Sequence, residues 1–211
     1  MKQRDLEEIQ RALTPYGTRV TPPLVQAICA YTELLLRWNA RINLTRITDR
    51  TQILVRHFGE SFFAAARLNL STGTLADIGS GAGFPGLALK LVCPQLRITL
   101  IESNLKKATF LFEVVRKLDL QGVEVLRARM EALQDPESRF QFITARAVGG
   151  FSALLEWAKL RLSAGGQLIL WLGGDDVELL SSNPGWTWGM KVRIPRTDDS
   201  YLLAGRPVTV K

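Results

Sequence analysis

The sequence predicts an α/β fold in which a mostly parallel sheet ends in an antiparallel hairpin and is preceded by a helical extension. Apolar residues recur at helical spacing before residue 70, and strand and helix patterns alternate after it. Two short apolar segments near the end of the chain flank a polar turn. The 211 residues suit one domain or one domain with an extension, so we divide the chain into residues 1–70 and 71–211.

Three helices are predicted in the extension. The first is a short amphipathic helix over 6–13, which the Thr-Pro-Tyr-Gly sequence at 14–17 ends. Two prolines open a second helix that continues to about residue 38, and a third spans about 48–68. His57 lies on the apolar face of the third helix. A packing role is the ordinary interpretation, and a role that uses its titration near neutral pH is the alternative.

The second part of the chain alternates between strand-like and helix-like segments. The predicted strands are 74–78, 97–101, 123–127, 141–145 and 167–172. The predicted helices are 86–92, 104–119, 150–161 and 175–181. Residues 191–194 and 201–204 form a hairpin around the polar turn 195–200. This alternation predicts a parallel sheet that is covered on both faces, with antiparallel strands at one edge.

The most informative motif runs from residue 75 to residue 86, Leu-Ala-Asp-Ile-Gly-Ser-Gly-Ala-Gly-Phe-Pro-Gly. A short apolar strand carries Asp77 near its end and leads into a turn with Gly79, Gly81 and Gly83. Glycine permits backbone angles that let the main chain approach a ligand closely. Pro85 stands where a helix would begin. A strand, a glycine turn and a helix N-terminus together predict a cradle for a nucleotide cofactor.

Two cofactors fit such a cradle. Residues 81–86 formally match the dinucleotide pattern G-x-G-x-x-G, which makes NAD the rival. Asp77 would place a negative charge near the pyrophosphate of NAD, whereas a cationic sulfonium with an ammonium group would favour it. The long helical extension before this strand is also unusual for a dinucleotide fold. We therefore predict S-adenosylmethionine, with NAD as the alternative.

Glu102 follows the apolar run 98–101, about 20 residues beyond the glycines. An acid at the tip of the second strand is where a ribose diol would donate two hydrogen bonds. The alternative is that Glu102 only caps the helix that starts near residue 103 or 104. Agreement among strand, acid and spacing favours the ribose role.

The composition is that of an ordinary globular protein, with 46% hydrophobic and 22% charged residues. No apolar run reaches the ~20 residues that span a bilayer, and the N-terminus has no signal-peptide core. Cys29 and Cys93 lack metal-ligand spacing and are expected to be reduced core residues of a cytoplasmic protein. With His57 as the single histidine, no metal site is predicted. The sequence does not determine the oligomeric state, for which a monomer is favoured.

The net charge of +7 suggests an anionic partner, and arginines are concentrated in one segment. They are Arg37, Arg41, Arg46, Arg50 and Arg56. Asp49 is the one acid in that segment, and Trp38, Asn39 and Asn43 stand among the arginines. Because arginine binds phosphate bidentately and stacks on bases, we predict nucleic-acid binding here. For any single arginine, a solvated helix face remains the ordinary interpretation.

Ordered motifs along nearly the whole chain resemble the bacterial ribosomal RNA small-subunit methyltransferase G family. They are 36–39, 42–45, 53–58, 84–86, 106–107 with 110–111, 129–131 and 144–147. The resemblance implies a Rossmann-like class I methyltransferase sheet. It also implies transfer of a methyl group from S-adenosylmethionine to N7 of a guanine in the decoding-centre loop of 16S rRNA. Where the family usually has Leu-Asp-Ser, this chain has Gly59-Glu60-Ser61.

Residue by residue, the resemblance implies cofactor contacts at Gly79, Phe84, Met130, Glu131 and Arg146. For Arg146 three roles stay open: holding the cofactor, donating to guanine O6, or pairing with Glu131. Guanine N7 carries an exposed lone pair and no proton, so no general base is required and no catalytic residue is assigned. Two alternatives remain, a non-catalytic RNA-binding module on this fold and a methyltransferase for small molecules.

Overall fold

The computed structural model describes residues 3–133 and 139–208, which contain a seven-stranded sheet. The strands are β1 (Thr72–Ile78), β2 (Gln95–Ile101), β3 (Val123–Leu126), β4 (Phe140–Arg146), β5 (Leu162–Gly173), β6 (Trp186–Arg193) and β7 (Ser200–Pro207). The spatial order is β3-β2-β1-β4-β5-β7-β6. The first five strands are parallel, and β7 and β6 are antiparallel additions at one edge.

Helices precede the sheet and connect its strands. They are α1 (Gln3–Leu13), α2 (Pro22–Asn39), α3 (Arg50–Gln52), α4 (Glu60–Leu68), α5 (Gly86–Val92), α6 (Leu105–Lys117), α7 (Phe151–Arg161) and α8 (Gly174–Ser181). Short 3₁₀ turns occupy Thr14–Tyr16 and Met130–Ala132. The mostly parallel sheet with a C-terminal hairpin confirms the predicted fold class. Across the described ranges, no helix is long and apolar enough to cross a membrane.

The predicted third helix is interrupted by a π-helical segment, Ile53–Gly59, between α3 and α4. Asp49 caps the N-terminus of α3, since the Asp49 carboxylate accepts a hydrogen bond of 2.8 Å from the amide of Gln52. At Gly59 an added Cβ would lie 2.5 Å from the ring of Tyr16. The π-helical segment can therefore pack against the 3₁₀ turn that follows α1 because residue 59 has no side chain. Helical periodicity predicts the helix but not this local widening, which often occurs at functional sites.

The helical extension shares one hydrophobic core with a face of the sheet. Tyr31 of α2 stacks on Phe84, with the ring centroids 5.1 Å apart. Trp38 near the end of α2 donates a 2.7 Å hydrogen bond from Nε1 to Glu113 of α6. A second core cluster lies on the other face, where Leu154 and Trp157 of α7 are buried against the sheet. Both faces are thus covered, and the carboxyl ends of the parallel strands remain as the edge available for a site.

Candidate active site

The glycine turn follows β1 and has an open side. Gly79, Gly81 and Gly83 have φ values of +66°, +55° and +84°. An added Cβ at Gly83 would collide with the Tyr31 hydroxyl, which donates a 2.7 Å hydrogen bond to the carbonyl of Ala82. An added Cβ at Gly81 would meet only the carbonyl of Gly79, at 3.6 Å. Gly83 is therefore required for packing inside the protein, Gly79 lies close to Val148, whose Cγ1 would be 3.1 Å from an added Cβ, and Gly81 leaves space for a ligand.

Asp77 lies beneath this turn and is completely buried. Its carboxylate accepts hydrogen bonds from the Thr144 hydroxyl at 2.7 Å and from the Gly86 amide at 3.2 Å. Burial raises the pKa of Asp77 to about 6, although these two donors oppose the rise. Asp77 thus connects β4, the turn and the start of α5. A cation above the turn would interact with this carboxylate through its field.

Glu102 joins the glycine turn to the start of α6. Its carboxylate accepts a 2.9 Å hydrogen bond from the Gly81 amide and a 2.7 Å bond from the Asn104 amide. The cap of α6 is Asn104, whose side chain accepts a hydrogen bond from the Lys107 amide at 3.2 Å. Glu102 is therefore more than a helix cap, because it also fixes the position of Gly81. Carboxylate oxygens accept more than one hydrogen bond, so acceptor capacity remains for a diol.

A cavity of about 280 Å³ lies over the carboxyl ends of the parallel strands. Gly79 forms part of its lining, with Met130 and Glu131 of the 3₁₀ turn. Ile101 and Leu154 contribute apolar walls. The combination of apolar walls and an open glycine backbone suits a nucleoside. Three residues predicted to contact the cofactor are thereby brought together.

A second cavity of about 270 Å³ begins on the other side of Gly79. Phe84 contributes to its lining and is stacked between Tyr31 and His57, with the His57 ring centroid 4.6 Å away. His57 Nε2 lies 2.9 Å from the Thr45 hydroxyl. Burial, followed by the charges of Arg146 and Arg56, lowers the pKa of His57 to about 3. His57 is therefore a neutral packing residue at the wall of this cavity.

Arg146 is held by the buried carboxylate of Glu60, a residue that the sequence comparison singled out only because it differs from the usual family motif. Glu60, 2% exposed, lies 3.1 Å from Arg146 Nη2 and 2.8 Å from Arg56 Nε. Arg146 Nη1 also donates a 2.8 Å hydrogen bond to the carbonyl of Arg56. Of the three roles considered for Arg146, the structure shows an ion pair, but the partner is Glu60 and not the expected Glu131. The Arg56–Glu60 spacing of four residues on one helix was the available sequence signal.

A third cavity, of about 260 Å³, lies above Glu60 and is bordered by Arg146, Phe151 and Asp176. The three cavities are neighbours because they share residues that follow β1 and β4. Gly79 borders the first and second, Ala147 the second and third, and Val148 the first and third. Ala147 has a φ of +53°, a left-handed conformation that is uncommon for a residue with a side chain. Two cavities able to hold a cofactor and one further cavity thus converge on a single edge of the sheet.

The predicted RNA-binding arginines divide into two groups. Arg37, Arg41 and Arg46 are exposed, and Arg37 makes an ion pair with Glu113 at 3.1 Å while 64% of its side chain stays accessible. Arg50 instead contacts α1, at 3.1 Å from Asp5 and 3.3 Å from Glu8. Arg56 belongs to the Glu60 cluster.

Two of the polar residues among the arginines are structural. Asn39 accepts hydrogen bonds of 2.9 Å from the amides of Leu44 and Thr45 and thereby shapes the loop after α2. Trp38 bonds to Glu113. Within residues 3–133 and 139–208, no cluster of histidine, cysteine, aspartate and glutamate has the arrangement of a metal site.

Comparison with known proteins gives the family of the chain. The sequence profile described as rRNA small subunit methyltransferase G matches residues 24–182. A protein named "Ribosomal RNA small subunit methyltransferase G" from Roseiflexus castenholzii is 41% identical over 167 residues, which are 78% of this chain and 71% of that protein. The protein of the same name from Caldanaerobacter subterraneus is 35% identical over 183 residues, covering 85% of this chain and 77% of its own length.

Solved structures agree with the fold. A SAM-dependent methyltransferase from Aquifex aeolicus has a TM-score of 0.60 and 19% identity over 71% of this chain and 90% of its own. This likeness confirms the Rossmann-like class I methyltransferase fold, and the family match confirms the predicted enzyme class and S-adenosylmethionine in place of NAD. The chain belongs to the rRNA small subunit methyltransferase G family.

Proposed function

We propose that the chain transfers a methyl group from S-adenosylmethionine to N7 of a guanine in the decoding-centre loop of 16S rRNA. The observation that carries the proposal is the convergence of three cavities at Gly79, Ala147 and Val148, in a chain of this family. S-adenosylmethionine supplies an electrophilic methyl group. Because ribosomal RNA is the acceptor, we place the reaction in the cytoplasm.

Cofactor binding is assigned to the first two cavities. Met130, Glu131, Ile101 and Leu154 would enclose the adenosine, and Glu102 would accept from its ribose. The open side of Gly81 would receive the amino-acid part of the cofactor. Phe84 and Arg146, together with His57, form the wall of the neighbouring cavity. Asp77 acts from below by holding the turn in place and by its charge.

The chain offers alignment rather than proton transfer. Guanine N7 carries no proton, and the one histidine at the site stays neutral because its pKa is lowered to about 3. Rate enhancement would therefore come from holding N7 in line with the methyl group and sulfur. The fixed guanidinium of Arg146 and the strained backbone at Ala147 belong to this positioning machinery.

RNA binding is assigned to a basic surface, defined as Arg37, Arg41, Arg46, Lys106 and Lys107. Arg37 lies in the last turn of α2 and pairs with Glu113 of α6, and the two lysines lie in the first turn of α6. Lys107 also borders the second cavity, so the basic surface reaches the edge of the site. Arg50 and Arg56 are excluded from it because their paired guanidinium groups lie on side chains that are only 34% exposed, whereas Arg37 keeps 64% of its side chain accessible in its pair with Glu113. Residues 1–70 thus form an extension that supplies the arginines of the RNA-binding surface, and the methyltransferase domain at 71–211 supplies its two lysines.

The test is methyl transfer to small ribosomal subunits from cells that lack this protein. We expect labelled S-adenosylmethionine to modify one guanine, which mass mapping of 16S rRNA would locate as 7-methylguanosine. Binding of the chain to these subunits without methyl transfer and without affinity for S-adenosylmethionine would instead support the non-catalytic RNA-binding alternative.

Gly81→Val supplies an inactive variant with a matched control. A branched side chain at residue 81 would occupy the open side of the turn, so calorimetry should detect no S-adenosylmethionine binding. Gly165→Val is the control, because Gly165 has a φ of +75° and also has open space around an added Cβ, but borders none of the three cavities. Equal cofactor affinity in the two variants would contradict the assignment of the turn.

A further inference from the structure

The third cavity combines chemical groups that match the edges of a purine. Phe151, at the start of α7, provides an aromatic ring, Arg146 provides a guanidinium, and Asp176 of α8 provides a carboxylate. The volume of about 260 Å³ is small beside the ~300–1,000 Å³ typical of pockets for drug-sized ligands, and it suits a single base.

The carboxylate of Asp176 is uncommitted. Across residues 3–133 and 139–208, no hydrogen bond or ion pair engages it, although Arg56 and Arg146 border the same cavity. Those two guanidinium groups are already neutralised in part by the buried Glu60. An acidic side chain that faces the cavity without an internal partner is a free acceptor for N–H groups of a ligand.

Arg146 retains donors as well. One Nη group binds the carbonyl of Arg56 and the other binds Glu60, whereas a guanidinium carries five N–H donors. These two contacts fix the plane of the guanidinium. The remaining donors can therefore be presented to an acceptor oxygen with little loss of side-chain entropy.

The order of these groups follows the order of atoms around guanine. Arg146 and Ala147 also border the second cavity, which we assign to the cofactor, whereas Asp176 borders the third cavity alone. Around guanine, O6 lies between the methyl acceptor N7 and the donors N1–H and N2–H₂. A base whose N7 faces the shared boundary would place O6 beside Arg146 and its N–H donors beside Asp176.

We propose that this third cavity is the pocket for the acceptor guanine, with Asp176 as the residue that selects guanine by accepting from N1–H and N2–H₂. Phe151 stacks on the base, and Arg146 donates to O6. The proposal rests on the proposed function. A base held in such a pocket is withdrawn from its stack in the RNA, the general solution for enzymes that modify bases.

Asp176→Asn tests the selection of guanine, with Asp175→Asn as the control. Both acids lie in the first turn of α8 and are exposed, but only Asp176 borders the cavity. We expect Asp176→Asn to lower kcat/KM on unmodified small subunits by at least about 10-fold, as expected for lost hydrogen bonds to a charged group. Asp175→Asn should stay within about 2-fold, since a surface charge has a small effect. The affinity for S-adenosylmethionine should be unchanged in both variants.

A second substrate measures base preference, which would not change if Asp176 had only a structural role. Small subunits with adenine in place of the acceptor guanine present an N1 lone pair, which repels the Asp176 carboxylate but accepts from an asparagine amide. The preference for guanine over adenine should therefore narrow by about 10-fold or more in Asp176→Asn. In parallel, Phe151→Ala should lower kcat/KM, and Phe151→Trp should retain it because stacking is preserved.

An unchanged kcat/KM in Asp176→Asn, an equal loss in Asp175→Asn, or an unchanged preference for guanine would overturn the base pocket. Failure of the proposed function has a different signature, since the unaltered chain would then transfer no methyl group to subunits carrying guanine.

Discussion

Two regions of the molecule contain arginines in different surroundings. One is the floor of the candidate active site, defined as Arg56, Glu60 and Arg146, and the other is the exposed basic surface. At the floor, Arg56 and Arg146 share the buried carboxylate of Glu60. On the basic surface, Arg37, Arg41 and Arg46 are exposed, and Arg37 stays so although it pairs with Glu113. One arginine-rich stretch of sequence, residues 37–56, contributes to both regions. The density of arginines therefore does not show which of them remain available to a partner.

The physical difference is desolvation. A buried guanidinium without its carboxylate keeps the cost of leaving water, so the floor is sensitive to removal of one partner. An exposed guanidinium loses little when a neighbour is removed, but it attracts phosphate over a distance that salt shortens. We therefore expect changes at the floor to alter stability and cofactor binding, and changes on the basic surface to alter the salt dependence of RNA binding.

The largest effect is expected for Glu60→Ala. This substitution leaves Arg146, which is largely buried, and Arg56, which is partly exposed, without their shared counter-charge, so the free energy of unfolding should fall by about 3–4 kcal/mol, the lower part of the range for a broken buried pair. Urea denaturation measures the change. Glu156→Ala is the control, because it breaks an exposed pair with Lys159 and should cost less than about 1 kcal/mol. Similar losses in the two variants would remove the distinction between the regions.

A smaller effect, dependent on pH, is expected for Asp77→Asn. The pKa of Asp77 is raised from 3.8 to about 6 in the folded chain, so the folded state binds more protons between these pH values. Its contribution to stability therefore falls as pH rises from about 4 to 6, by up to about 3 kcal/mol at about 1.4 kcal/mol per pKa unit.

The measurement is the unfolding free energy of the native chain minus that of Asp77→Asn, followed across this pH range. His57, whose pKa is lowered, has the opposite pH dependence, but both chains contain it and its contribution cancels. A difference that does not change with pH would show that Asp77 keeps an ordinary pKa.

Glu102→Ala should weaken cofactor binding by about 1–3 kcal/mol, the usual effect of losing a charged hydrogen-bond partner. The variant loses the acceptor for Gly81 and the possible acceptor for the ribose. Calorimetry with S-adenosylmethionine gives the affinity, and the melting temperature of the cofactor-free protein gives the structural part. A lower melting temperature with unchanged affinity for S-adenosylmethionine would show that Glu102 only stabilises the glycine turn and the start of α6.

The smallest effect is expected for single arginines. Arg41→Ala should reduce the slope of log affinity for RNA against log salt by somewhat less than one unit and leave the melting temperature unchanged. Arg50→Ala should lower the melting temperature and leave the salt slope unchanged, because the Arg50 guanidinium contacts Asp5 and Glu8 of α1. If Arg50→Ala also lowers the salt slope, Arg50 belongs to the basic surface despite its ion pairs.

Much of the fold is predictable because the periodic spacing of apolar residues and the positions of turn residues indicate the helices and strands locally. Alternating strand and helix segments identify β1 to β5, and the polar turn at 195–200 identifies the hairpin. Positive φ at Gly79, Gly81 and Gly83 agrees with the predicted glycine turn. Helical periodicity does not predict the π-helical segment at Ile53–Gly59 or the close approach of Gly59 to the Tyr16 ring, which is far away in the sequence.

The sequence by itself determined the fold class, the cofactor type, the family and the group of residues around the glycine turn. Those properties rest on backbone freedom, periodicity and motif order, which neighbouring residues carry together. Only the tertiary structure decided that Glu60 binds Arg146, that Asp77 lies beneath the turn, and that Asp176 shares a cavity with Phe151. These relations join residues tens of positions apart. Burial and unused hydrogen-bond capacity, which give such residues their roles, exist only after the chain has folded.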